Sequence, residues 1–336
     1  MPVNSLSEAV GSGAILLVDK RSGWTSHDVV ARTRRAFSTR KVGHAGTLDP
    51  LATGLLTIGI GSATRLLTHL VGLDKVYTAT IRLGQATVTD DSLGAVTGSA
   101  APKDIAALTA LVKTDESRLR ELLKRAMADF TGEIMQVPTA VSAIKVQGKR
   151  AYDLVRQGKE VNLKARRVTV HRFELGGVRE AQTENGDAVL DIDVTAEVSS
   201  GTYIRALARD LGAALGVYGH LVALRRESVG PFSVNSAVCL DTLDAEAQKV
   251  AAGKAADPAN LPCFSPAETA AQLFPVVKVQ QDEAIALGHG KQLETTAPDA
   301  ELAAAVALTG RLVALVAIRK GKMRVLTGFL QQEVVR

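Results

Sequence analysis

Apolar residues recur at two spacings along this 336-residue chain, and the switches between them mark out its elements. Residues 14–19 are an apolar run closed by Lys20-Arg21-Ser22-Gly23, which predicts a strand and its turn. Thr25 followed by Asp28 predicts a capping box, with Asp for the usual Glu. It opens a helix to about Phe37 that buries Val29, Val30 and Thr33. Leu56, Ile58 and Ile60 alternate as in a strand, and residues 63–70 read as a helix. Residues 76–83 predict a second strand with Tyr77, Ala79, Ile81 and Leu83 on one face. Residues 84–103 are polar and turn-rich. Residues 104–130 carry a helical stripe of Leu119, Leu122, Leu123, Ala126, Met127 and Phe130. Apolar alternation at 168–175 and 189–198 about Asn185-Gly186-Asp187 predicts a hairpin. Ser199-Ser200-Gly201-Thr202 then offers caps for a helix burying Ile204, Leu207, Ala208, Leu211 and Leu215. Residues 241–275 are rich in Ala and Pro and lose periodicity, which predicts a linker or a loose helical connection. From Phe274, short apolar runs broken by Gly288, Gly290, Gly310 and Gly321 predict a β-rich unit, short for a domain but viable.

Charge changes this picture locally more than globally. The net charge of +5 is mildly basic and permits an anionic partner. The bias concentrates in residues 132–172, where Lys145, Lys149, Arg150, Arg156, Lys159, Lys164, Arg166, Arg167 and Arg172 face few acids. Gly148 and Gly158 punctuate that stretch. It reads as an element that tracks a phosphate backbone, or as a solvated surface insertion. Arg32, Arg34 and Arg35 on the first helix, and Arg40 and Lys41 beyond it, pose the same choice. The two cysteines, Cys239 and Cys263, make no metal-binding spacing and suit a reducing cytoplasm. No secretory leader and no membrane-length apolar run is visible, so a cytoplasmic protein without a membrane is expected.

The candidate chemistry sits in the run Gly43-His44-Ala45-Gly46-Thr47-Leu48-Asp49-Pro50-Leu51-Ala52-Thr53-Gly54. Three glycines admit unusual backbone angles, and Pro50 pushes Asp49 toward an extended conformation. One carboxylate is thereby fixed in a tight loop; a Gly-rich turn with a solvated aspartate has the same composition. Far along the chain, Arg205 stands at a helix N-terminus, where the dipole disfavours a cation. A nearby carboxylate would compensate, and Asp49 is the candidate. The alternative is an exposed arginine with no specific pair.

Several segments in order resemble one family, the bacterial tRNA pseudouridine-55 synthases that act on the T-loop. Asp19-Lys20 with Gly23-Trp24-Thr25-Ser26 resembles its N-terminal motif, and the Asp49 run its catalytic loop. Lys75-Val76-Tyr77 resembles its K-x-Y strand. Pro138, Ser142-Ala143-Ile144-Lys145 and Gly148-Lys149-Arg150 resemble its RNA-entering insertion. Ser200-Gly201-Thr202-Tyr203-Ile204-Arg205 and Leu224-Arg225-Arg226 resemble its second active-site and closing motifs. The C-terminal unit is similar to the family's PUA-like RNA-binding module. There are departures: Arg21 replaces a proline, Thr57 another, and Val88 an acid in Thr87-Val88-Thr89-Asp90-Asp91, which puts that loop's hydrogen bonding in doubt.

The resemblance implies an α+β fold, with a mixed, mostly antiparallel central sheet flanked by helices and a small β-rich C-terminal domain. It divides the chain into a disordered start (1–12), a catalytic domain (13–272) with the insertion at about 132–167, and a PUA-like domain (273–336). It implies isomerisation of uridine 55 in transfer RNA, by base flipping, with Asp49 catalytic. Tyr77, Tyr203, Arg205, Leu224, His44 and Lys20 support it; Lys145, Lys149, Arg150, Arg156 and Arg167 bind RNA. His44 is a wedge against the displaced RNA, or else a loop-stabilising hydrogen-bond partner. The reaction involves no redox change, so no cofactor and no metal is expected. The partner is the tRNA T-arm, met by a monomer needing no protein partner. Rival readings are a non-catalytic RNA chaperone, a hydrolase, and a synthase acting on another RNA. A hydrolase lacks a visible second carboxylate near the loop.

Overall fold

The computed structural model describes residues 10–141, 163–329 and, for backbone pairing alone, 145–146 and 149–150. The expected disordered start lies outside these residues over 1–9, and residues 10–12 are helical. The chain forms two compact units. One holds Met1–Pro50, Gly54–Val71 and Pro231–Arg336; the other holds Leu51–Thr53 and Gly72–Gly230.

In the first unit, strand Ala14–Lys20 pairs antiparallel with Thr53–Ile60 from Ala14↔Ile60 to Lys20↔Gly54. On its other edge it takes Val238–Cys239 in parallel and Cys263–Phe264 antiparallel. Residues 14–18 are all buried, because neither face of the strand meets solvent. Val42–Ala45 forms a hairpin with Thr53–Ile60, and the Asp49 run is its loop. Helix Ser26–Ala36 begins where the capping box predicts. The Asp28 amide donates to Thr25 Oγ1 (3.2 Å) and the Thr25 amide to Asp28 Oδ2 (2.8 Å).

The stretch at 241–275, expected as a linker or a loose helical connection, is helical and packed. Helix Leu240–Ala251 lies against Ser26–Ala36, and helix Pro266–Leu273 opens on a Ser265–Glu268 capping box. Alanine favours helix but blurs the apolar stripe that periodicity reads. The connection is held by Glu246, buried yet charged. Its carboxylate accepts from Lys249 Nζ (2.6 Å), the Asp257 amide (2.8 Å) and Asn260 Nδ2 (2.8 Å). These bonds, Lys249's foremost, hold it down at about 2 against an ordinary 4.5, despite burial. The folded value lies below the unfolded one, so the stabilisation is full above about pH 4.5 and is lost as acid titrates the group toward pH 2. Glu246→Gln is expected to cost about 1–3 kcal/mol at pH 7 and to flatten the acid limb of a thermal-unfolding series run from pH 6 to 2.

The C-terminal part of this unit is a five-stranded sheet. Its order is Val276–Val279, Ala300–Ala307, Leu312–Arg319, Lys322–Gly328 and Leu293–Glu294, the first pair parallel. Alternation assigns its two faces. Ala303, Ala305 and Val316 pack on helix Gln281–Gly288, and Ala304, Val306 and Leu315 on Ala267, Ala270 and Leu66.

The second unit is an antiparallel sheet ordered Gly219–Val229, Lys75–Leu83, Ala188–Val198, Arg166–Gln182, Gly132–Gln136. Helices Pro102–Thr114, Glu116–Ala128 and Ile204–Ala214 pack on it. The helical stretch read at 104–130 is two helices, divided where Asp115 caps the second through the Arg118 amide (3.0 Å). Along Lys75–Leu83 every second residue is buried, Tyr77 among them, as the alternation predicts. Three of the other four carry polar cross-strand pairs: Thr78 with Glu227 (2.8 Å), Thr80 with Asp193 (2.7 Å), and Arg82 bidentate to Asp191 (2.8 and 2.9 Å). The fold is therefore α+β and mostly antiparallel, with a β-rich C-terminal domain. Among the described residues no helix is long and apolar enough to cross a membrane.

Candidate active site

Asp49, His44 and Lys20 belong to the first unit. Asp49 is half-buried, and both its chain neighbours are tied down. The Leu48 amide donates to Ser26 Oγ (2.9 Å), which in turn donates to the Leu48 carbonyl (3.3 Å). The Gly23 amide donates to the Pro50 carbonyl (2.9 Å). The carboxylate is thus carried on a backbone clamped to the start of helix Ser26–Ala36. Gly46 (φ +85°) and Gly54 (φ +97°) take the left-handed angles expected of this loop. Gly43 does not; it is a strand residue where a Cβ would stand 3.0 Å from Leu67 Cδ1. In the sequence Ser26 was legible as a helix-start residue and as the end of the family's N-terminal motif, not as a clamp on Leu48. Ser26→Ala is expected to leave the fold intact and to slow turnover about tenfold, read as kcat at unchanged KM.

Lys20 is wholly buried, and its Nζ donates to the carbonyls of Arg21 (3.0 Å) and Trp24 (2.8 Å). It shapes the turn that leads to the Ser26 clamp. Arg21, at the position of the family's proline, pairs with Asp241 and lies 5.1 Å from the centre of the Trp24 ring. The His44 ring meets His27 edge-on, centroids 5.9 Å apart.

Tyr77, Tyr203, Arg205 and Leu224 belong to the second unit. Tyr77 lies opposite Ala196 on one neighbouring strand and Arg226 on the other; Leu224 lies opposite Ala79. Paired residues share a face, so Tyr77, Leu224 and the fully buried Arg226 point to one side of the sheet. Lys75, on the same face, is pushed down to about 8 by burial, with Arg226 adding to the effect and Asp74 opposing it. Tyr203 stands before helix Ile204–Ala214, held by Gln136 in both directions. The Tyr203 amide donates to Gln136 Oε1 (2.9 Å) and Gln136 Nε2 donates to the Tyr203 carbonyl (3.1 Å).

Arg205 is 5 % exposed, which disposes of the exposed, unpaired alternative. Its Nη1 donates to the Thr89 carbonyl (2.7 Å) and lies 3.6 Å from Asp91 Oδ2; its Nη2 donates to the Val141 carbonyl (3.1 Å). Val88 does not disturb this loop. Thr87 Oγ1 donates to the Asp91 carbonyl (2.7 Å), and Thr89 Oγ1 (2.6 Å) and the Leu93 amide (3.1 Å) to Asp91 Oδ1. Gln136, Thr89 and Asp91 were absent from the expected site.

Of the expected RNA-binding residues, Arg167 is exposed and 3.5 Å from Glu133. Lys145 and Arg150 face each other in a two-residue antiparallel pair that Lys149 shares with Val146. The side chains of Lys145, Lys149 and Arg150, and all of Arg156, lie outside the described residues. Among the described residues no three His, Cys, Asp or Glu groups gather as metal ligands do.

The model of the TruB family pseudouridylate synthase N-terminal domain matches residues 34–204, just over half of the chain. This chain belongs to the TruB family. Two further TruB models follow without overlap: the tRNA pseudouridylate synthase B C-terminal domain over 205–272, and the tRNA pseudouridine synthase II C-terminal domain over 274–330. Curated TruB relatives match almost end to end. The tRNA pseudouridine synthase B of Leifsonia xyli subsp. xyli (strain CTCB07) is 49 % identical over 97 % of this chain and 99 % of its own. That of Arthrobacter sp. (strain FB24) is 50 % identical over 90 % and 92 %. Among solved structures, a Cbf5-Nop10-Gar1 complex chain matches with a TM-score of 0.67 at 24 % identity, covering 99 % of this chain and 89 % of its own. A chain from an H/ACA RNP bound to a substrate RNA gives 0.66 at 24 %, over 98 % and 88 %. At that identity the likeness speaks for the TruB fold alone.

Proposed function

We propose that this chain isomerises uridine 55 in the T-loop of transfer RNA to pseudouridine, with Asp49 as the essential residue. That it is a tRNA pseudouridine synthase follows from its family and from relatives half identical along nearly the whole chain. The observation that carries the residue assignment is the clamped loop. Ser26 and Gly23 fix the backbone on both sides of a half-buried carboxylate.

The reaction breaks the bond from N1 of uracil to C1′ of the ribose, turns the base, and joins C5 to C1′. The C5 proton leaves and N1 gains one, so atoms balance without any oxidant. Uridine must leave its stack first, at about a few kcal/mol. The basic stretch through Lys145, Lys149, Arg150, Arg156 and Arg167 offsets this with phosphate contacts. His44 takes the place of the displaced base. Asp49 acts as an anion, Arg205 orients it, Tyr77 stacks on the flipped uracil, and Leu224 and Tyr203 complete the apolar wall. The residues after 272 act as a PUA-like RNA-binding domain. The enzyme works in the cytoplasm as a monomer without a protein partner. What supports transfer RNA as the substrate is near end-to-end likeness at about half identity to synthases named for it.

The test is a transcribed T-arm stem-loop carrying tritium at uracil C5. Release of tritium from position 55, lost when that uridine is replaced, is the expected result. Binding without release would favour an RNA chaperone, and release from other positions a different RNA target.

A further inference from the structure

Two glycines face each other in the hairpin that carries the Asp49 run. Gly43 lies opposite Gly59 in the register of Val42–Ala45 with Thr53–Ile60. Directly opposite residues point to one face of a strand pair. Neither glycine takes a left-handed backbone angle, so what the pair supplies is space. A Cβ on Gly43 would stand 3.0 Å from Leu67 Cδ1, and one on Gly59 2.9 Å from both Cγ and Cδ2 of Leu67. The Leu67 side chain thus sits where two side chains are missing, the close approach that glycine in a strand permits.

Leu67 is fixed from its other side by the C-terminal sheet. It opens the short helix Leu67–Val71, directly after the turn Gly61–Leu66. Its neighbour Leu66 is fully buried in one cluster with Ala304, Val306 and Leu315. Arg65 Nη1 donates to the Gly328 carbonyl, at the end of strand Lys322–Gly328. His69 meets Phe274 edge-on, centroids 5.3 Å apart. Leu66 therefore turns to the C-terminal sheet and Leu67 to the hairpin. Of the two hairpin strands, Thr53–Ile60 is also anchored on Ala14–Lys20, where Gly59 lies opposite Ile15. The strand that leans on Leu67 is Val42–Ala45, which leads through His44 and Gly46 to Asp49.

We propose that Leu67 is a positioning residue for the reaction. Held on the C-terminal sheet through Leu66, it sets the place of strand Val42–Ala45, and with it His44 and the Asp49 loop. This rests on the reading of Asp49 and His44 given above. It gives the C-terminal sheet a part in the chemical step, besides its proposed contact with RNA.

The experiment compares wild-type protein with Leu67→Ala, Gly43→Ala and the Gly43→Ala/Leu67→Ala double variant. It reads single-turnover tritium release and the dissociation constant of the T-arm stem-loop, well below each melting temperature. Leu67 is half-buried, so its truncation leaves the fold standing. Leu67→Ala should slow release about tenfold with the dissociation constant within about threefold, because misplaced reacting groups cost rate while phosphate contacts keep the affinity. Gly43→Ala should slow it to a similar degree by the opposite fault, a Cβ that drives the strand and Leu67 apart. In the double variant the new Cβ enters the space the leucine leaves, so release should be about threefold or more faster than in either single variant. A purely structural Leu67 would lower the melting temperature and leave the rate of the folded protein unchanged, which would overturn the proposal. Losses that simply add in the double variant, or weaker binding at an unchanged rate, would overturn it as well. Wild-type protein that releases no tritium, or an Asp49→Asn variant that keeps its rate, would instead overturn the functional reading on which it stands.

Discussion

Asp49→Asn is expected to lower the rate of isomerisation by about four orders of magnitude or more, while the T-arm dissociation constant stays within about threefold. The size follows from the role. A group that exchanges a proton with the reacting base contributes about 10²–10⁴, and one that also stabilises the intermediate contributes more. Retained binding follows from the distribution of contacts, since phosphates supply most of the affinity of a protein for RNA and Asp49 touches none in this reading. The substitution is also structurally quiet. The bonds that hold the loop run through Ser26, Leu48, Gly23 and Pro50, and the amide is the size of the acid. The protein should therefore stay folded, any shift in melting temperature being limited to the bonds that the carboxylate itself makes. Single-turnover tritium release at saturating protein isolates the chemical step from binding. Turnover resembling wild type would remove Asp49 from the mechanism.

How far this site was legible depends on whether its parts are local in sequence. The Thr25–Asp28 box, the alternating face bearing Tyr77, the hairpin about Asn185-Gly186 and the loop around Asp49 are all written within ten or so residues. Propensity and period read such stretches directly. What supports the site is not local. Ser26 meets Leu48 across 22 positions, Gln136 meets Tyr203 across 67, and Arg205 meets Thr89 across 116. No spacing rule connects such residues, because the fold alone brings them together. The helices at 240–251 and 266–273 were read only as a linker or a loose helical connection, for a different reason. Alanine supplies helix propensity without an apolar stripe, so a packed connection looked like a linker. The fully buried Glu246 shows how firmly that connection is held, and its charge gave no sign in the sequence of being inside.

Arg205→Lys is expected to reduce kcat by about a hundredfold at nearly unchanged RNA affinity. The argument begins with geometry. Arg205 is buried, and its planar fork reaches the Thr89 carbonyl through one nitrogen and the Val141 carbonyl through the other, with Asp91 beyond. A lysine ammonium is a single point on a flexible stem and cannot hold two divergent acceptors at once. One buried carbonyl would lose its partner, at about 1–3 kcal/mol, so a lower melting temperature is expected too. Stability loss alone would not change the rate of protein that remains folded. The fall in kcat tests the second role, proposed above for Arg205, of orienting the Asp49 carboxylate, for which a lysine would offer hydrogen bonds of poorer direction. The double variant Asp49→Asn/Arg205→Lys distinguishes these roles. If Arg205 acts through Asp49, the double variant is no slower than Asp49→Asn alone, because groups that act as a unit are not additive. If it only anchors residues 89 and 141, kcat of Arg205→Lys equals that of wild type below its melting temperature, and the orienting role falls.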